Sequence, residues 1–291
     1  MPSMKLIKRR LASVTTTKKI MKAMNMVAAS KLQKDRARLE AARPFYREAE
    51  RAIHTLKTRE DSAESIFFET REVKNTAYLV ITSDRGLCGS YNSNLAEEAL
   101  RHMNATASQT EASIVAIGQK GGDYFKRKGK AILQQFDDVM ETAFYEDAER
   151  IGYFLSALYT SGEVDEVYVA YTRFESALTH VPHVERLLPL GPGAADSAEA
   201  DNAEVGSDMQ YEPDLFFYME YAVPLYLSAF IYSALLEAST CEQAARMVSM
   251  DTAVKNASEI IAKLTRLYNR SRQAAITQEI SEVVSSTNIL K

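Results

Sequence analysis

The residues of this chain most suggestive of chemistry form the segment SDRGLCGSYN, at positions 83–92. It follows an apolar run that predicts a buried strand and precedes a predicted helix, the place where α/β sheets bind phosphate groups. Neither GxGxxG nor GxxxxGK[ST] occurs here or elsewhere in the chain, which argues against nucleotide binding. We therefore expect Gly86 and Gly89 to supply positive φ in a tight turn. Cys88 is expected to pack inside that turn rather than to act as a redox thiol.

Two histidines, His180 and His183, form an HxxH pair across Pro182. Neither a nearby cysteine nor a predicted helix aligns them, so the pattern predicts an exposed loop pair and not a metal site. The two cysteines of the chain form no CxxC pair, which disfavours a zinc site or a disulfide framework and fits a reducing compartment. No Ser-His-Asp set or isolated carboxylate pair can be identified. The sequence thus predicts no catalytic site, no metal and no cofactor.

Charge is distributed very unevenly along the chain, whose formal net charge is −4. Residues 1–59 contain 16 Lys and Arg against 4 Asp and Glu, a local net charge of +12, so the remainder carries −16. No Lys or Arg occurs in 187–245. A basic helix of this kind indicates an acidic partner, which could be nucleic acid, a membrane surface or an acidic protein.

One hypothesis is therefore a basic coiled-coil protein that binds nucleic acid. The basic helix lacks interleaved aromatic residues, which argues against it. A small α/β enzyme with helical arms is a second hypothesis, and the missing phosphate loop and acid–base set argue against that one. The first 34 residues, free of Asp and Glu, also resemble a mitochondrial transit peptide in composition. A removable peptide, however, has no reason to share the repeat that continues beyond it.

A repeat of apolar residues in the first 56 positions predicts a long N-terminal helix. Heptad positions a and d from Ile7 to Leu56 number fifteen, and twelve of them are apolar. The exceptions are Lys18, Asn25 and Asp35. A 3-4 repeat sustained over seven heptads indicates a coiled coil. Pro44 lies inside this pattern and is expected to kink or interrupt the helix.

The other end of the chain carries a second seam with the same spacing, from Met247 to Tyr268. Neither apolar stripe can be buried within its own segment. We therefore expect residues 5–58 and 214–287 to pair as an antiparallel coiled coil. The chain contains no run of eighteen apolar residues, so we expect no transmembrane helix.

Between the two ends, alternating strand and helix patterns predict a small parallel α/β sheet. Its strands are expected at 77–83, 112–118, 166–174 and 184–190. Helices are expected from a cap at Asn92 or Ser93 to about Asn104, within 121–129 and over 142–161. The expected domains are an N-terminal coiled-coil helix, a central α/β domain, an acidic linker and a C-terminal coiled-coil helix, at 1–59, 75–190, 191–211 and 212–291.

Four segments together resemble one family. They are MKAMNMVAASKL (21–32), SDRGLCGSYN (83–92), EQAARMVSMDTAVKNA (242–257) and LTRLYNRSRQAAITQEISEVV (264–284). All four resemble the γ subunits of the rotary, F-type ATP synthase. The resemblance implies an antiparallel coiled coil of both termini with a central Rossmann-like domain. It also implies a central rotor shaft without catalytic activity, which couples transmembrane proton or sodium flow to ATP synthesis or hydrolysis.

The same resemblance implies partners and contact residues. The partners are the α and β subunits of the catalytic head, the epsilon subunit and the membrane c-ring, with no nucleic acid and no small-molecule substrate. Met24 would pass the acidic loops of β. Arg272, Gln273 and Thr277 would meet the β catch loops, Arg246 would lie in the neighbouring contact region, and Glu282 would belong to the gripping surface.

Three features refine this expectation. The motifs begin close to Met1, which resembles a bacterial γ subunit at the cytoplasmic face of the plasma membrane. The regulatory dithiol of the chloroplast form is absent, so we expect no thiol control. The stretch DLFFYMEY at 214–221 is more apolar and aromatic than the family leads us to expect.

Overall fold

The fold was obtained as a computed structural model. It describes residues 4–57, 65–69, 71–106, 111–190 and 215–289, and in the last range it does not describe the side chains of 216 and 284–289. The predicted acidic linker, 191–211, lies outside the described residues. The chain divides into two compact units. Unit 1 combines Met1–Ala29 with Arg246–Lys291, and unit 2 is Ser30–Ala245.

Long helices contribute to both units. The helices are α1 (Met4–Lys57), α2 (Tyr91–Thr106), α3 (Gln119–Arg127), α4 (Val139–Thr142), α5 (Tyr145–Thr160) and α6 (Leu215–Ile289). The strands are β1 (Asn75–Ile81), β2 (Glu111–Ile117), β3 (Ile132–Phe136), β4 (Glu166–Phe174) and β5 (His180–Leu188). Pro44 lies inside α1 without interrupting it.

The heptad pattern correctly predicts which side of each long helix is covered. Every a and d position of α1 from Ile7 to Leu56 is buried or half-buried, and so is every seam position of α6 from Met247 to Tyr268. In unit 1, the Asn25 Nδ2 donates a hydrogen bond to the Met247 carbonyl over 2.8 Å. The predicted antiparallel coiled coil of the two termini is confirmed.

Polar seam residues have partners that explain their presence. In unit 2, the Ser239 hydroxyl donates to the Asp35 carboxylate over 2.9 Å, and farther along the same helix pair the rings of Tyr46 and Phe230 pack edge to face. Going forward along α1 thus means going backward along α6. A partly buried polar pair is satisfied in only one register, so Asp35 and Ser239 help to select this alignment over slipped ones.

The sheet in unit 2 has the strand order β3-β2-β1-β4-β5. The first four strands are parallel, but β5 pairs antiparallel with β4. The expectation of an all-parallel sheet was wrong for β5. Only residues 175–179 separate β4 from β5, and so short a connection permits a hairpin but not a parallel crossover.

Three further expectations need correction. Strand β3 was not predicted, because its sequence ILQQF places two exposed or half-exposed glutamines in an edge strand and so lacks an apolar run. The helix expected over 142–161 is α5, which begins at Tyr145 because Ala143, with a left-handed φ of 44°, separates it from the short helix α4. Helix α2 begins at Tyr91, so neither Asn92 nor Ser93 caps it.

Both faces of the sheet are covered. Helices α2 and α3 cover one face, where Leu95 and Phe125 pack with Tyr78 and Val80 of β1. On the other face, Leu79 of β1 shares a buried cluster with Leu39 of α1 and Ile231 of α6. The inner parts of both long helices therefore belong to the core of unit 2. An apolar window within 217–283 could span a membrane by length and composition alone, but 72% of it is buried inside the protein.

A half-buried carboxylate, that of Glu237, joins α6 to the sheet. Glu237 accepts a hydrogen bond from the Phe174 amide over 3.2 Å. Burial raises the pKa of Glu237, an effect that the Phe174 hydrogen bond and the nearby Arg173 and Arg43 only partly offset. Folding therefore favours the protonated form of this residue.

Glu237→Gln is expected to become increasingly stabilising as pH rises above about 4.5, the ordinary pKa of the side chain. The contribution of Glu237 to the free energy of unfolding is fully present below that value, and it is lost as pH rises through the raised pKa of the folded state. Gln keeps an acceptor for Phe174 and cannot ionise. Urea unfolding between pH 4.5 and 8, with the exposed Glu175→Gln as control, measures the difference. A constant difference in unfolding free energy across this range would contradict the assignment.

Candidate functional site

The six residues predicted to bind partners all lie in unit 1 and fall into two groups. Met24 and Arg246 form the first group, and Arg272, Gln273, Thr277 and Glu282 form the second. Arg246 and Arg272 are 26 positions apart on one helix, which corresponds to about 39 Å along its axis. The structure thus presents two separate candidate surfaces and not one site.

The first group lies at the level of the Asn25–Met247 hydrogen bond. Met24 and Arg246 are the chain neighbours of the two bonded residues, and both are half-buried. Met26 is more exposed, at 58%. Because a methionine side chain is flexible and polarisable, Met24 and Met26 can adapt to contacting surfaces of different shape.

The second group lies where the helix pair ends. The seam of α6 continues at half-buried Ser271 and Ala275, and all described side chains from Ile276 to Val283 are exposed. We call this stretch of exposed side chains the exposed tip. Arg272 and Gln273 lie just before it, and both are exposed.

Apolar and polar groups share the exposed tip. Ile276, Ile280 and Val283 are 45%, 59% and 65% exposed and recur at helical spacing along one face. At 100° per residue, Arg272 and Gln273 border that face. The tip therefore offers an apolar strip with hydrogen-bonding groups beside it, which suits a surrounding protein surface. Sequence reasoning missed these three residues, although their spacing was available to it.

Two side chains of the second group already make bonds within α6. The Thr277 hydroxyl donates to the Gln273 carbonyl over 2.9 Å, so its oxygen remains available as an acceptor. The Gln278 amide donates to the Glu282 carboxylate over 2.9 Å. At about 100° per residue Glu282 lies on the seam side, about 180° from Gln273 and about 140° from Thr277 but only about 80° from Arg272, so the helix separates Glu282 from Gln273 and Thr277.

The loop at 83–92 is held in place by hydrogen bonds within the protein. Asn92 accepts a hydrogen bond from the Ser83 amide over 2.9 Å and donates to the Cys88 sulfur over 3.2 Å. Tyr91 donates to the Ala238 carbonyl of α6 over 3.1 Å. Cys88 is buried, as predicted, and it shares a cluster with Tyr91 and Cys241. These internal bonds fasten the loop to α6 and to its own backbone.

The positive φ values in this loop were only partly predicted. Gly89 has a φ of 61°, as expected, but the second left-handed residue is Leu87, with a φ of 66°, and not Gly86. A Cβ added to Gly86 would come no closer than 3.9 Å to Lys120. The turn therefore does not require glycine at position 86.

The histidine pair is not in a loop. His180 and His183 belong to β5 and are half-buried, so the expectation of an exposed loop pair was wrong. The hairpin extends β5 earlier than its apolar residues indicate. Burial lowers the pKa of His180, and the His183 ring lies 3.5 Å from Glu185. Among the described residues, no group of three or more His, Cys, Asp or Glu side chains could hold a metal ion.

Comparison with known proteins assigns the family. Residues 3–290 match the family model described as ATP synthase. The ATP synthase gamma chain of Alkaliphilus metalliredigens is 41% identical over 285 residues, covering 98% of each chain. That of Moorella thermoacetica is 41% identical over 294 residues, covering 100% of each. The chain belongs to the ATP synthase family.

Chains in solved structures of ATP synthases have a similar fold. A chain of the central stalk and c-ring of the Tetrahymena thermophila mitochondrial ATP synthase is 29% identical, with a TM-score of 0.64, and the match covers 80% of this chain and 99% of that one. A chain from the Euglena gracilis mitochondrial ATP synthase has a TM-score of 0.70 at 14% identity, covering 99% and 94%. This second likeness shows the fold alone.

Proposed function

We propose that this chain is the central rotor shaft of a bacterial ATP synthase. It turns within a ring of α and β subunits and couples transmembrane proton or sodium flow to ATP synthesis or hydrolysis. Its other partners are the epsilon subunit and the membrane c-ring, and it acts as a peripheral subunit at the cytoplasmic face of the plasma membrane. The observation that carries this proposal is the full-length similarity to ATP synthase gamma chains.

The fold fits a mechanical role without chemistry of its own. The long helices pair by a buried seam, and the exposed tip of α6 extends beyond that pairing. A shaft that bound every catalytic site equally well would shift none of them, because only a difference in affinity between states changes their populations. An asymmetric helix surface provides such a difference, since Arg272 and Ile276 face one neighbour at a time.

Contacts between the shaft and the surrounding subunits must be weak enough for the shaft to turn. A hydrogen bond contributes about 0.5–1.5 kcal/mol, and up to about 3 kcal/mol when one partner is charged. Each 1.4 kcal/mol changes an equilibrium about tenfold, so a few such bonds bias a catalytic site without trapping the shaft. We therefore assign the orientation-dependent contacts to Arg272, Gln273 and Thr277, with Met24 and Arg246 at a second level and Glu282 on another side of the tip.

Reconstitution tests the rotor proposal. ATP-driven ion pumping and ATP hydrolysis are measured in membrane vesicles that contain the complete complex, with this chain present or omitted. We expect pumping only when the chain is present, whereas α and β alone can still hydrolyse ATP. Equal pumping without the chain would exclude the proposal. The alternative of a nucleic-acid-binding protein receives no support from the comparisons.

Met24→Lys is expected to reduce ions pumped per ATP hydrolysed. A cation placed opposite acidic β loops would favour one orientation of the shaft, and an exposed ion pair is worth about 0–1 kcal/mol. The complex should still assemble. Lys22→Met, at an exposed neighbouring position, is the control and should leave the pumping ratio unchanged. If the ratio is also unchanged in Met24→Lys, Met24 does not lie against the acidic loops.

A further inference from the structure

The C-terminal end of helix α2 meets the sheet at a group of aromatic side chains that the rotor proposal does not use. In the pairing of the parallel strands β1 and β4, Tyr78 lies directly opposite Tyr168. Their rings are stacked, with centroids 5.2 Å apart and an angle of 15° between the ring planes. Tyr78 is 1% exposed, so this pair belongs to the face of the sheet that α2 covers.

The imidazole of His102, on α2, packs against this tyrosine pair. Its ring centroid lies 4.8 Å from that of Tyr168 and 5.8 Å from that of Tyr78. The His102 Nδ1 and the Tyr78 hydroxyl oxygen are 3.0 Å apart, which is hydrogen-bond distance. His102 is half-buried. The end of α2 is therefore joined to the sheet by a side chain that can change its charge near neutral pH.

Charged groups surround His102 on its own helix and on two strands. On α2, Glu98 and Arg101 form an ion pair with each other. On β4, Glu166 is 9% exposed, and Arg186 of β5 pairs with it over 3.6 Å. Both nearby carboxylates are thus already paired with an arginine, which weakens their attraction for a proton on His102.

The environment of His102 favours its neutral form. Burial lowers the pKa of His102 below its ordinary value of 6.5, an effect that Glu98 and Glu166 oppose and Arg101 reinforces. A hydrogen bond from Tyr78 to Nδ1 acts in the same direction as burial, because protonation of Nδ1 removes the acceptor. The contribution of this contact to stability is therefore fully present above pH 6.5, and it is lost as pH falls through the lowered pKa of the folded state.

We propose that His102 and Tyr78 form an acid-sensitive latch that holds the C-terminal end of α2 on the sheet. In the closed latch the neutral imidazole carries its proton at Nε2 and accepts a hydrogen bond from the Tyr78 hydroxyl at Nδ1. When acid protonates Nδ1, that bond is lost and the last turn of α2 opens more often. The latch lies in unit 2, away from the two candidate surfaces of unit 1, and it does not depend on the rotor proposal.

Nuclear magnetic resonance of the purified full-length chain tests the bond. The ¹⁵N shifts of the His102 ring report which nitrogen carries the proton, and we expect it at Nε2 at pH 7.5. Tyr78→Phe keeps the ring but removes the donor, so it should raise the pKa of His102 by about 0.4–1 pH unit, the equivalent of one hydrogen bond. Tyr124→Phe removes a hydroxyl from α3, on the same face of the sheet, and should leave that pKa unchanged. A proton at Nδ1 at pH 7.5, or equal pKa values in wild type and Tyr78→Phe, would overturn the proposal.

Amide hydrogen exchange measures the opening itself, at pH 7.5 and 5.0 and corrected for the intrinsic effect of pH. A difference of half a pH unit between the pKa values of the closed and open states changes the opening equilibrium about threefold. We therefore expect residues 101–106 to exchange at least about threefold faster at pH 5.0, with no such change in α5, which covers the other face of the sheet.

His102→Asn is the matched variant for this measurement, because it keeps an acceptor near the position of Nδ1 and cannot titrate. It should exchange at nearly the same corrected rate at both pH values. If His102→Asn does not fold, Tyr78→Phe replaces it and should show a weaker dependence on pH than the wild type. No acceleration at pH 5.0, equal acceleration in α2 and α5, or equal acceleration in the wild type and the variant would refute the latch.

Discussion

Replacing Leu39 with Asp is expected to unfold unit 2. Leu39 is 1% exposed and belongs to the apolar cluster between the helix pair and the sheet, together with Ile53 and Leu79. The substitution removes a leucine side chain from the core and places a carboxylate among apolar side chains. Losing apolar packing costs about 2–5 kcal/mol, and an uncompensated buried charge costs about 3–5 kcal/mol. Native domains are stable by only about 5–15 kcal/mol.

Urea denaturation followed by circular dichroism measures this effect on the purified chain. The control is Gln33→Asp, which introduces the same charge at an exposed position of the same helix. It should shift the free energy of unfolding by less than about 0.5 kcal/mol. Equal transition midpoints for the two variants would mean that Leu39 does not lie in the core.

Replacing Arg272 and Gln273 together with Ala is expected to slow ATP turnover at least about fivefold while the complex still assembles. Both residues are exposed beside the tip of α6, so neither contributes to the packing of this chain. Two lost hydrogen bonds, one of them charged, remove about 2–4 kcal/mol of orientation-dependent contact. The rate depends only on the part of this contact energy that differs between the catalytic states. We therefore expect at least about a fivefold slowing and not the larger factor that the full contact energy would give.

Steady-state ATP hydrolysis and ATP synthesis in membranes measure this effect. Lys263→Ala is the matched control, because Lys263 is exposed and lies on the side of α6 opposite Arg272. The control should retain nearly the full rate. Wild-type turnover in the double variant would mean that Arg272 and Gln273 do not form the gripping surface.

The paired helices could be predicted from sequence because one physical requirement determines them. Seven heptads of apolar residues must be covered, and every a and d position of α1 is indeed buried or half-buried. The polar residues Asn25 and Asp35 looked like defects in that pattern. Their partners, the Met247 carbonyl and Ser239, lie more than 200 positions away in the chain and cannot be read from local spacing.

The errors concern elements whose structure depends on their neighbours. Strand β3 is stabilised by pairing with β2 despite its exposed glutamines. His180 and His183 lie in a strand because the hairpin with β4 extends that far. The contact residues of the two candidate surfaces were carried over from a family resemblance and not worked out from spacing. The structure adds Ile276, Ile280 and Val283, whose exposure depends on where the pairing of the helices ends.

Direct observation of rotation tests the central claim. A bead is attached to a new exposed cysteine, Lys128→Cys, in complexes whose α and β subunits are fixed to a surface. The native Cys88 and Cys241 are 2% and 0% exposed, so the label reacts at position 128. If this chain is the rotor shaft, the bead turns in one direction when ATP is added and stops when ATP is removed. A bead that stays still while the same complexes hydrolyse ATP would contradict the account.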